Sequence, residues 1–199
     1  MWTEHGPDDL HRRMIAPTNE IPVALPVNAL LARTDDAAVA LVGLHVYSTG
    51  LSFDLVVRVR GGVHPRDRLH DLMWSHGPGP GRFLLGVQFA DGRRASTIGS
   101  PDKLDDGIVL NQGSGSGGEL EVDQNWWLHP LPPEGPMRIV VRCAELGIEE
   151  TVTELDGSSI RRAAGDVVEL WPWTPPEPAR EEREPRGPDV PPDSWFAGH

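Results

Sequence analysis

Between Ala37 and Arg60 the chain carries two strand-like segments on either side of Ser48-Thr49-Gly50, and this run constrains the fold more than any other. In the second segment Leu51, Phe53, Leu55, Val57 and Val59 share one face, while Ser52, Asp54, Arg58 and Arg60 share the other with Val56. Strand side chains alternate between faces, so a period of two makes one buried surface and one mostly wet surface. That pattern belongs to an antiparallel sheet covered on one side.

The same signal recurs downstream. Phe83, Leu85, Val87 and Phe89 alternate with Leu84, Gly86 and Gln88, and Asp91-Gly92 supplies a tight turn. Met137, Ile139, Val141 and Cys143 line one side of a later strand, with Ile148 to Leu155 as its expected partner. Leu120 to Leu128 reads as a further strand. Pro22 and Pro26 give Glu20 to Arg33 the character of an edge strand, because proline has no backbone donor. Closely spaced short strands with turn signals between them predict a mainly β chain, folded as an antiparallel β-sandwich. The turn Pro132-Pro133-Glu134-Gly135-Pro136, leading into an alternating strand, resembles those of immunoglobulin-like and fibronectin-like sandwiches.

Two helices interrupt the pattern. His64 to Trp74 is expected as a short helix in an inter-strand connection, with Leu69, Leu72 and Met73 on one stripe. A C-terminal helix from Ser158 to Leu170 follows from the stripe of Ile160, Ala163, Ala164, Val167, Val168 and Trp171, with Ser158 as its N-cap. Gly165 weakens that helix by about 1 kcal/mol relative to alanine, which leaves a strand from Asp166 to Trp171 as the alternative. The run Gln112 to Gly118 is expected as a flexible surface loop.

These elements divide the chain into a loose N-terminal arm over residues 1–19, a sandwich domain over 20–173, and a Pro/Glu/Arg-rich tail over 174–199. The tail is too polar to bury a core of its own. A formal net charge of −12 argues against a nucleic-acid surface, which requires clustered cations. The longest charge-free apolar run, Ala37 to Leu44, is too short to cross a membrane, and no signal-peptide pattern opens the chain. A cytoplasmic protein is expected. Cys143 is the one cysteine, sits on an apolar face, and reads as a small core residue rather than a nucleophile.

Few motifs carry chemistry. His64, His70 and His76 recur every six residues, and six helical residues rotate a side chain by about 240°, which scatters them around the axis instead of converging them on a metal. Gly113 to Gly118 lacks the lysine and hydroxyl of a phosphate-binding loop, since Glu119 follows. It also lacks the spacing of a nucleophile elbow. No catalytic residue, metal ligand or cofactor site is therefore assigned.

Trp126-Trp127 is the more informative pair, because adjacent strand residues face opposite ways and one indole must leave the core. His45 and Tyr47 share a strand face and are placed to line a pocket. The leading expectation is a non-catalytic binding or assembly module acting through protein contacts, anchored by Trp126, Trp127, Trp195 or Phe196, with a basic partner suited to its acidic surface. A small hydrolase or metal-dependent enzyme using His45, His70 and Asp71 is a second reading. Carbohydrate or small-ligand binding at Trp126 and Trp127 is a third.

Overall fold

The computed structural model describes residues 12–61, 68–74, 83–98 and 107–175. Over these the chain is mainly β, arranged in antiparallel sheets with few helices. In chain order the strands are β1 (Glu20–Ile21), β2 (Val23–Arg33), β3 (Ala37–Val46), β4 (Leu51–Val59), β5 (Leu84–Gln88), β6 (Arg94–Ser96), β7 (Val109–Gly117), β8 (Glu121–His129), β9 (Pro136–Cys143), β10 (Ile148–Asp156) and β11 (Val168–Glu169). Helix α1 (Arg68–Trp74) lies between β4 and β5, and α2 (Gly157–Ala163) follows β10. One sheet has the order β2-β3-β4-β8-β7, a second β10-β9-β5-β6, and β1 pairs with β11 in a small ribbon.

The alternation in β4 determines what is buried. Leu51, Phe53, Leu55 and Val57 are each 0% exposed. They belong to one hydrophobic cluster with Leu85, Val87, Ile139 and Val141 of the second sheet. Cys143 is also buried there, and desolvation pushes its thiol pKa up, as suits an inert core residue. No helix among the described residues is long and apolar enough to cross a membrane.

One irregularity in β3 reorganises its faces. The β3–β4 register shifts between Val42 and Leu44, where Gly43 adopts a φ of 65°. Before the shift Ala37, Val39 and Leu41 point inward; after it Leu44 and Val46 do. An extra residue in one strand changes the parity of everything that follows. His45 and Tyr47 are thereby turned to the outer face of the sheet.

The glycine-rich run is a strand, not the expected loop. Gly115 pairs with Gln124 and Gly117 with Val122 on the buried side of the sheet, and Trp74 of α1 lies against both glycines. A β-carbon on Gly115 would sit 2.8 Å from the Asp123 carbonyl oxygen and 2.9 Å from the Trp74 ring. The missing side chains make room for the indole. Gln124 supports the same contact, its Nε2 donating to the Met73 carbonyl at the end of α1 (3.0 Å).

The second helix is shorter than its stripe implies. Asp156, not Ser158, is the N-cap, accepting a hydrogen bond from the Ser158 amide (3.0 Å). Helix α2 stops at Ala163 and tightens into a 3-10 turn over Ala164–Asp166 around Gly165. Beyond the turn, Val168–Glu169 pairs with β1, which satisfies the backbone by another route, and Val168 and Trp171 are left exposed.

If Gly115 is a packed strand residue, Gly115→Ala should lower the unfolding free energy by about 1–3 kcal/mol, the usual cost of forcing atoms into a filled space. Ser114→Ala, at an exposed neighbouring position, should change it little. Urea unfolding of both variants checks this, and equal stability would restore the loop reading.

Candidate functional site

Two transverse rows of side chains at one end of the five-stranded sheet's outer face frame the candidate site. Ala24, His45, Ser52, Trp127 and Asn111 stand in register across β2, β3, β4, β8 and β7. In the next row Asp54 stands opposite Asn125, whose Nδ2 donates to Asp54 Oδ1 (2.8 Å). Gly113 of β7 lies against Asn125.

A segment from Arg12 to Asn19 crosses above this floor. It begins with a helical turn ending at Met14, whose last carbonyls have no partner within the turn. The sheet supplies the donors: Trp127 Nε1 to the Arg13 carbonyl (2.7 Å) and Asn111 Nδ2 to the Met14 carbonyl (3.0 Å). At the other end the Leu170 amide donates to the Asn19 carbonyl (2.8 Å). The part of the expected loose arm that is described, residues 12–19, is thus tied down.

Between segment and floor lies a cavity of about 430 Å³. Met14, Ile15 and Ala16 form its apolar side; His45, Tyr47, Ser52, Asn111, Asn125 and Trp127 form its floor. Tyr47 meets Trp127 edge to face, with ring centres 5.6 Å apart and planes at 76°. Burial pushes the Tyr47 phenol pKa up, the Ser52 hydroxyl opposes this through a hydrogen bond, and the charge of Glu20 adds to the rise. Ser52 is itself buried.

Both indoles are covered. Trp126 belongs to the core, at 5% exposed, and Trp127 faces outward yet is only 4% exposed, because Tyr47 and the crossing segment enclose it. His45 is in the cavity, but the helix carrying His70 and Asp71 packs Leu69 and Met73 on the opposite side of the sheet. The side chains of His70 and Asp71 lie outside the described residues, as do His64, His76, Trp195 and Phe196. His45 and Ser52 are direct partners in the β3–β4 register, and the Ser52 hydroxyl is hydrogen-bonded to Tyr47. Among the described residues no group of three or more His, Cys, Asp or Glu could hold a metal ion.

Sequence reasoning found His45, Tyr47 and Trp127 but missed Asn111, Asn125 and the crossing segment. The shared parity of Asp123, Asn125 and Trp127 was the available signal for one of them. Comparison with family models, curated proteins and solved structures finds no match to this chain.

Tyr47 is the only tyrosine, so tyrosinate absorbance reads this site alone. Its ionisation should be centred above the ordinary value of 10.0 in the native protein and return toward that value in denaturant. Because the folded pKa is the higher one, the native state retains a proton that the unfolded chain loses, and the linked stability fades as pH rises through the folded pKa. Tyr47→Phe should remove that part of the alkaline stability loss; an unshifted native titration would contradict the burial of the phenol.

Proposed function

We propose that this protein is a non-catalytic binding module whose two larger sheets form a β-sandwich, of the general immunoglobulin-like or fibronectin-like architecture. Its ligand is a small, neutral, hydroxyl-rich molecule of the carbohydrate class, held in the cavity above His45, Ser52 and Trp127. The observation that carries this reading is the composition of that cavity. Its volume of about 430 Å³ falls in the range of small-molecule sites. Among the described residues the lining combines hydroxyl, amide, imidazole and aromatic groups, without Asp, Glu, Lys or Arg.

The hydrogen-bond pattern narrows the class. Asn111 and Asn125 each commit an amide hydrogen to a protein acceptor, and the indole N–H of Trp127 does the same. Amide oxygens, the remaining capacity of the hydrogen-bonded Ser52–Tyr47 hydroxyl pair and one imidazole are left for a ligand, so the ligand must bring donors as well as acceptors. Sugar hydroxyls do both without charge.

A second reading rests on a different surface. Ile21, Val168, Leu170 and Trp171 on and beside the β1–β11 ribbon are exposed, Trp171 by 57%. Such a patch suits contact with another protein, and the net charge of −12 favours a basic one.

Saturation-transfer NMR with a panel of neutral mono- and disaccharides tests the first reading. At least one should bind the parent, and Asn125→Ala or Ser52→Ala should weaken it about tenfold, within the roughly 1–3 kcal/mol expected when a buried partner is left unpaired. Binding by none, or equal binding by the variants, would remove the carbohydrate reading. Loss of a captured basic partner specifically in Trp171→Ala would put the second in its place.

A further inference from the structure

The four-stranded sheet also presents an ordered outer face, on the side away from the core. Val152, Val140, Gly86 and Ser96 stand in register across β10, β9, β5 and β6. The neighbouring row, in the same strand order, is Glu154, Arg138, Gln88 and Arg94. On the other side of the apolar row, Arg142 of β9 stands opposite Leu84 of β5 and lies 3.7 Å from Glu149. We propose that this face binds a second copy of the chain, in a symmetric dimer whose two-fold axis runs along the strands between β9 and β5. The cavity above His45 and Trp127 lies on the other sheet, so this inference is independent of the carbohydrate reading.

Gly86 points outward to a partner. It occupies the middle of a strand, where glycine loses more backbone freedom on folding than any other residue and packs nothing. Among the described residues nothing asks for it. Its φ lies outside the left-handed region, and an added β-carbon would make only ordinary contacts, the nearest 3.6 Å from Val140 Cβ. A strand glycine of this kind marks a place where another chain or a ligand comes close. The hollow it leaves opens outward beside Val140, and Val152 in the same row is 55% exposed. A two-fold axis between β9 and β5 sets each Val140 over Gly86 of the second copy, so the same fit is made twice.

The charged row selects both the copy and its orientation. Sheets that pack face to face lie about 10 Å apart, with the side chains of the two faces in contact. An axis along the strands lays each row on itself and reverses it end for end. Glu154, at the β10 end, then meets Arg94 of the second copy, and symmetry repeats the pair. Arg94 is exposed and makes no ion pair among the described residues. Glu154 accepts from Arg138 Nε (2.9 Å), yet its side chain is 56% exposed and its carboxylate has acceptor sites to spare. An axis across the strands would lay Arg138 against Arg142 instead, like charge on like. The chain as a whole carries −12, which repels a second copy at a distance, and the arginines of this face offset that repulsion where the copies meet.

Sedimentation equilibrium of the full-length chain tests the dimer. The apparent mass should rise from 21.8 kDa toward twice that value across about 1–300 µM, the weak end of the range for specific interfaces. Gly86→Leu, which fills the hollow, should weaken association about tenfold or more while circular dichroism keeps the β signature of the parent. Arg94→Glu and Glu154→Arg should each stay monomeric alone, because each sets like charges opposite one another across the axis. Mixed in equal amounts they should associate, since one copy of each restores both opposed pairs. Arg33→Glu, the same change of charge at an exposed position on β2, should behave as the parent. A parent that stays monomeric throughout, a dimer that Gly86→Leu leaves intact, or charge variants that remain monomeric when mixed would each overturn the proposal.

Discussion

A strand that kept its alternation from Ala37 to Tyr47 would aim His45 and Tyr47 into the core and turn Leu44 and Val46 to the outer face. Burying an imidazole or a phenol without partners costs roughly 2–7 kcal/mol by transfer scales, and exposing Leu44 and Val46 loses hydrophobic burial as well. The extra residue at Gly43 removes the conflict by reversing parity at one point. Its φ of 65° is a conformation that glycine adopts at little cost and β-branched residues resist. The place of His45 in the outer row with Ser52, Trp127 and Asn111 follows from that one backbone turn.

Local periodicity in the sequence reveals those parts of the fold that follow from local forces. The run Leu51 to Val59 alternates cleanly, and its apolar half is the core. Ala37 to Val42 does not alternate in polarity, so only Gly43 within the apolar run hints at the change of face. Gln112 to Gly118 has no apolar pattern at all. It is a strand because it pairs with β8, and Trp74, some forty positions earlier in the chain, packs against Gly115 and Gly117. The stripe at Val167, Val168 and Trp171 fits a helix, yet β1 recruits that stretch into a ribbon. In both cases a distant partner overrides the local preference.

The site obeys the same division. His45 and Tyr47 are neighbours in sequence, so their shared face is readable. Asn125 reaches the site by pairing with Asp54 across a separation of 71 residues, and Trp127 contacts Arg13 across 114. No local window contains both members of either pair. Polar residues on an outer strand face look merely solvated until something is laid over them, and here the cover comes from the far N-terminal side of the chain.

That cover also explains why the floor is ordered. Asn111, Asn125 and Trp127 are long or planar side chains that would lose rotamer freedom on meeting a ligand, at about 0.5–1.5 kcal/mol for each rotamer-rich group immobilised. Each is already held by a hydrogen bond within the protein. Much of the ordering cost is therefore met during folding, which is what preorganisation means physically. The Arg12–Asn19 segment has a role at both of its ends: near Arg13 and Met14 it accepts from the floor, and at Asn19 it is bonded to Leu170 and Trp171. Ile15 and Ala16, between these ties, wall the cavity over His45, Ser52 and Trp127, so the position of that wall is set by hydrogen bonds at both ends of the segment.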